Sequence, residues 1–131
     1  MSRDVDMINK MRFASVTVTD IDKAVDFYVS VLGFSVVIEM PLPGGNRFVM
    51  VAPPGGGSNL VFSLPMPGRT HAPSAAIAFE TGDVKATFDE LSGKGVEFSR
   101  PPVKTAWGGV EATFLDPFGN SYMLQQGGPL E

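Results

Sequence analysis

Cysteine is absent from this chain and histidine occurs once, at His71. The first absence excludes disulfides, thiolate metal sites and cysteine nucleophiles together. The second excludes any site built on two imidazoles, including the two-histidine, one-carboxylate arrangement. Tryptophan also occurs once, at Trp107, and charged residues make up only 18% of the chain. With a net charge of −4 and no run of Lys or Arg, there is no cationic face for a phosphate backbone, so nucleic acid is not an expected ligand. No stretch nears the ~20 continuous apolar residues of a membrane span, and Met1 to Lys10 lack an apolar signal core. The expectation is a cytoplasmic protein with no membrane partner.

What is present is a globular composition: 131 residues, 44% apolar and 10% aromatic. One domain of this length buries about two-thirds of its unfolded surface and needs no staples. Residues 12–19 alternate as a strand, with Ala14, Val16 and Val18 on one face. Ile21, Ala24, Val25, Tyr28, Val31 and Leu32 then recur at helical spacing, capped by Thr19 or Asp20 and closed by Gly33. Strand-like runs follow at 34–40, 47–51 and 59–64, separated by Gly44-Gly45 and by the Pro53 to Gly57 cluster.

After a stretch of linker composition the same order restarts. Residues 74–80 read as a strand, and Val84, Phe88 and Leu91 stripe a helix closed by Gly93 and Gly95. Strand material follows at 96–99, 104–107, 110–115 and 121–125, with Pro101-Pro102 predicting an edge or a break. The halves match weakly at an offset of 62, as in Lys23 with Lys85 and Gly33 with Gly95. Repeated order plus repeated residues points to a duplication. The organisation predicted is an arm at 1–10, a first βαβββ module at 11–68, a linker at 69–73, a second module at 74–127 and a tail at 128–131. A four-stranded sheet with one helix covers only one of its faces, so the other faces define a hollow, within a chain or across a dimer.

Three stretches carry a family resemblance: 16–34, from the first strand through Asp20, Phe27 and Tyr28 to Leu32-Gly33-Phe34; the restart at 77–84; and Asp116-Pro117-Phe118-Gly119-Asn120. Together they resemble the vicinal oxygen chelate superfamily of glyoxalases, extradiol dioxygenases and bleomycin-resistance proteins. The resemblance implies an α+β fold of two βαβββ modules, with curled mixed sheets around a central hollow. Metal-dependent members of that family place four inward ligands on four strands. Carried over, those positions fall on Phe13, Phe62, Ala76 and Met123, and Phe, Phe, Ala and Met cannot ligate a hard divalent cation. No metal and no cofactor are therefore expected.

The remaining candidates each have two readings. Phe13, Ser15, Phe62, Ala76, Met123 and Gln125 line either an adaptable ligand pocket or a collapsed core. Trp107, beside Gly108-Gly109, is a wall on a flat or cationic guest, with Glu111 supplying charge, or a structural hairpin residue. Arg47 holds an anionic group of a ligand or sits at a solvated strand end. His71 is a contact at the hollow's mouth or an idle linker residue. The function expected is metal-independent sequestration of a small molecule, cationic or aromatic, of the bleomycin-resistance type, by a homodimer. The alternative is a glyoxalase-like lyase or isomerase, or a dioxygenase-related enzyme. It would work by side-chain acid-base chemistry among Glu39, Glu97, Glu111, Tyr122 and His71, or through a non-standard metal site.

Overall fold

The structure, a computed structural model, describes residues 7–65 and 77–128. The first module is β1 (Ala14–Thr17), α1 (Ile21–Val25) continuing as a π-helical segment (Asp26–Val31), β2 (Ser35–Pro41), β3 (Arg47–Ala52) and β4 (Leu60–Ser63). The second is β5 (Ile77–Glu80), α2 (Val84–Gly93), β6 (Glu97–Lys104), β7 (Gly109–Leu115) and β8 (Ser121–Gly127). Each module folds its own four-stranded mixed sheet, in the orders β1-β4-β3-β2 and β5-β8-β7-β6. The first and last strands of a module pair in parallel and the rest antiparallel, so the two sheets repeat one topology.

The predicted first helix runs through 21–32, but only its first part is α-helical. Beyond Val25 it widens, and the Leu32 amide donates to the Phe27 carbonyl five residues back. The duplication explains why. Asp20 and Asp83 are the two N-caps, each accepting from the amide three residues on, and they lie 63 positions apart. Gly33 and Gly95, both with positive φ after their helices, lie 62 apart. The first helix therefore holds one residue more than the second, and the π segment absorbs it. The offset of 62 is correct only beyond this insertion; before it, the equivalence shifts by one.

The strand across Pro101-Pro102 is also corrected. Instead of two strands at 96–99 and 104–107, β6 continues through both prolines with two register shifts, and residues 105–108 form the turn into β7. It survives because it is an edge strand, where a missing N–H faces no partner. The linker at 69–73, with His71, and the first residues of the predicted strand at 74–80 lie outside the described residues.

The helix-side faces of both sheets meet in one core that includes Val16, Tyr28, Phe34, Phe62, Val84, Leu91, Phe114 and Tyr122. Phe34 meets Phe79 edge to face at 5.5 Å, which joins the modules. A buried polar clasp joins them as well. Asp116 Oδ1 accepts from the amides of Phe118 (2.9 Å) and Asn120 (2.8 Å), and its Oδ2 accepts from Asn120 Nδ2 (2.8 Å). Asn120 Nδ2 also donates to the Thr17 carbonyl of β1 (2.9 Å), and the Tyr28 hydroxyl donates to Asp116 Oδ2 (2.7 Å). The Tyr28 and Tyr122 hydroxyls share a further hydrogen bond. Asp-Pro-Phe-Gly-Asn is thus a hairpin whose two polar side chains lock the second module to the first.

Candidate functional site

With both helix-side faces turned into one core, the opposite faces of the two sheets are open. Strand alternation decides which side chains stand on them. In the first sheet Val16, Val49, Val51, Leu60 and Phe62 point into the core. Phe13, Ser15, Thr17, Phe48, Met50, Val61 and Ser63 therefore share the open face, joined from β2 by Ile38 and Met40 opposite Met50 and Phe48. Phe13 packs edge to face on Phe48 at 6.2 Å, and the Ser15 and Ser63 hydroxyls hydrogen-bond across β1 and β4. A cavity of about 440 Å³ opens beside this face, lined by Phe13, Phe48, Val61 and Ser63 and also by Arg47 and Phe62. Among the described residues, the strand side chains on this face carry no charge, and Arg47 stands beside it in the cavity wall.

In the second sheet Tyr122, Leu124, Ala112 and Phe114 take the core side, so Met123, Gln125, Glu111 and Thr113 stand on the open face. Gln125 pairs directly opposite Glu111 and donates through Nε2 to Glu111 Oε1 at 2.7 Å. Trp107 closes one end. A Cβ added at Gly109 or Gly128 would collide with the indole, so the ring lies over both glycines. Gly109 alternates in phase with Glu111, which puts the indole on the open-face side of the hairpin end.

The expected lining residues divide accordingly. Phe13, Ser15, Met123, Gln125 and Glu111 share the two open faces, with Trp107 at the rim; Ala76 lies outside the described residues. Phe62 is corrected. It stands on the core side, 3% exposed, with its ring 5.0 Å from that of Tyr28, because β4 presents Val61 and Ser63 to the open face instead. Arg47 lines the cavity beside the first face, with its fork ends paired to Asp22 of α1 (2.6 Å) and Glu39 of β2 (3.2 Å). The same pairing removes Glu39 from the site. Tyr122 is in the core, where burial above all pushes its hydroxyl above the ordinary phenol range, partly offset by the Tyr28 hydrogen bond. Burial, then Tyr122 and Asp116, raise Tyr28 further still. Both phenols stay protonated at neutral pH and are structural. Sequence reasoning missed Phe48, Met50, Val61 and Ser63, which alternation along β3 and β4 would have supplied had those strands' phase been fixed.

The donor chemistry of these faces does not fit a divalent cation. Phe13 and Met123 stand where ligands would, and among the described residues no three His, Cys, Asp or Glu side chains are grouped to hold a metal.

Fold, clasp and paired open sheets define a class. The sequence profile of the Glyoxalase/Bleomycin resistance protein/Dioxygenase superfamily matches residues 9–124, and the chain belongs to that superfamily. Among solved structures, a superfamily member from Sphaerobacter thermophilus DSM 20745 is similar at a TM-score of 0.82 and 35% identity, covering 92% of this chain and 99% of that one. TnmS3, an antibiotic binding protein from Streptomyces sp. CB03234, is similar at a TM-score of 0.80 and 35% identity, covering 93% and 98%. The uncharacterized protein YetH of Bacillus subtilis (strain 168) is 30% identical over 121 residues, 92% of this chain and all of that one.

Proposed function

We propose that this protein is a metal-independent binding protein that sequesters a flat, apolar small molecule between two protomers. The observation that carries the reading is the orientation of the two open faces. They point away from a shared core, so a guest lying on them is enclosed only by a second protomer; a separate cavity of about 320 Å³ lies between the modules of one chain, beside Phe34, Pro53, Phe79, Thr87 and Leu91. Pairing the first-sheet face of one protomer with the second-sheet face of its partner would make an enclosed hollow, walled by Phe13, Phe48 and Met50 on one side and by Met123, Gln125 and Trp107 on the other. Exposed apolar residues along β2, such as Val37 at 51% and Met40 at 48%, are a surface that a homodimer would cover. The similarity to an antibiotic binding protein supports small-molecule capture in place of turnover.

Native mass spectrometry of untagged protein, purified without chelators, tests this. The expected spectrum is a dimer without metal that carries, or takes up, an aromatic small molecule. A monomer, or one divalent ion per chain, would overturn it. A guest recovered chemically altered would replace sequestration by the acid-base reading, for which Glu111 is the carboxylate already on an open face.

A further inference from the structure

The duplication closes one joint between the modules and leaves its counterpart open. The Phe34 amide donates to the Tyr28 carbonyl and the Val96 amide to the Leu91 carbonyl, so Leu91 of α2 stands where Tyr28 stands in the first module. In the same way the Gly119 amide donates to the Asp116 carbonyl and the Gly56 amide to the Pro53 carbonyl, which makes Pro53 the counterpart of Asp116. A leucine and a proline therefore replace the phenol and carboxylate that meet in the clasp. Among the described residues no hydrogen bond joins the turn at 53–59 to α2. The core behind the two joints differs to match. Behind the clasp, Val16, Val18 and Ala24 are fully buried. Their counterparts, 63 positions on like the helix caps, are Phe79, Thr81 and Thr87, which stay part-exposed and line the cavity of about 320 Å³ between the modules.

We infer that this cavity is a second small-molecule site, held within one chain, for an uncharged aromatic of two fused rings. Its inner wall is built from Phe34, Phe79 and Phe114 with Leu91 and Leu124, none of them polar. The hydroxyls on the wall are already satisfied: Thr87 donates to the Asp83 carbonyl (2.9 Å), and Thr81 to Thr87 (2.8 Å). Charge is confined to the exposed rim, at Glu80, Glu90 and Lys94, and is of both signs. Lys94 there already pairs with Glu90 (3.7 Å) and reaches the Val31 carbonyl (3.5 Å). An ion entering the cavity would lose water and gain no partner. An apolar cavity of ~150 Å³ stays dry and holds benzene, so about twice that volume suits two fused rings. Three phenyl rings on the wall offer them edge-to-face contacts, and the guest supplies the ring that Tyr28 has and Leu91 lacks. The site needs no second protomer and lies on the opposite side of β5 and β8 from the open face. It is therefore independent of the sequestration reading above.

Titration with 2-naphthol, followed through the methyl NMR signals of the labelled protein, tests it. Saturable shifts are expected at Val31, Leu32, Leu91 and Leu124, which line the cavity. Naphthol should bind about tenfold more tightly than 2-naphthalenesulfonate, its anionic counterpart, and severalfold more tightly than decanol, a flexible chain without ring contacts. Leu91→Tyr, which installs the ring of the other joint, should weaken naphthol about tenfold or more by filling the cavity. Thr87→Leu fills it from the part-exposed wall and carries the same expectation where Leu91→Tyr does not fold. Acridine, one ring longer, is the probe of the open faces, and in excess it should leave the naphthol shifts at the cavity methyls in place. Shifts confined to Met50, Val61 and Met123, or displacement by acridine, would put naphthol on the open faces and overturn the second site while leaving sequestration intact. No shift at any methyl, or full affinity in a folded cavity-filling variant, would overturn it as well. Equal affinity for naphthol, the sulfonate and decanol would overturn the aromatic class.

Discussion

Asn120→Ala would open the clasp between the modules. Asn120 is fully buried, and its Nδ2 supplies donors to the part-buried Thr17 carbonyl and to the buried Asp116 Oδ2. Alanine leaves both short of a donor at ~1–3 kcal/mol each, and the emptied space cannot hold the β1 strand end against the hairpin. A combined loss of about 3 kcal/mol lowers Tm by roughly 10 °C in a domain of this size. The assay is a circular-dichroism melt at one fixed protomer concentration, since any association shifts Tm by mass action. Asn120→Asp sharpens the test. It keeps the shape but sets a second carboxylate against Asp116, so its own pKa rises in the folded state. The variant is then most damaged at neutral pH and recovers as pH falls, once the new carboxyl holds a proton in the folded chain. An Asn120→Ala melt within about 1 °C of the parent would refute the idea that this side chain locks the modules.

Three further outcomes follow from the same geometry. Gly109→Ala should cost ~1–3 kcal/mol by overpacking and shift the Trp107 emission, because the new Cβ sits inside the indole and 2.5 Å from the Gln126 carbonyl oxygen; an unchanged spectrum places the ring elsewhere. Stability should fall as pH rises above 10.0, the ordinary tyrosine value, because the unfolded chain then releases phenol protons that folded Tyr28 and Tyr122 retain, and Tyr28→Phe should flatten that fall in pH-dependent urea titrations. Arg47→Met should cost less than about 1 kcal/mol, its ion pairs being part-exposed, and should leave acridine affinity unchanged; a large loss of affinity would make Arg47 a contact of the guest.

Much of the fold was legible because its signals are local. Period-2 and period-3.6 patterns, Asp caps and closing glycines located both modules, and Asp116 to Asn120 marked the hairpin that clasps them. The π segment was not legible, since an inserted residue leaves the apolar stripe almost intact and shows only as a change in offset from 63 to 62 between cap and glycine. The open faces were half legible. Phe13 and Met123 came from the family resemblance, with Ser15 and Gln125 as their same-face neighbours, but β4 is a continuous apolar run, Leu60-Val61-Phe62, in which period 2 cannot say which residue faces the helix. Tyr28 settles it by drawing the larger ring, Phe62, into the core. Arg47 shows the other gap: its partners Asp22 and Glu39 are distant in sequence, so a strand-end arginine reads as free until the helix is placed over it.

The central claim is that a guest lies between the first sheet of one protomer and the second sheet of its partner. Complementing variants test it most directly. Phe13→Asp spoils every first-sheet face and Gln125→Trp every second-sheet face, so neither homodimer should bind acridine. In a heterodimer carrying one of each, isolated through two different tags, one hollow is built from both intact faces. The account predicts that this heterodimer regains one acridine site per dimer with parental affinity. A heterodimer that binds none would mean that each guest is held within a single chain, and the shared-hollow account would be wrong.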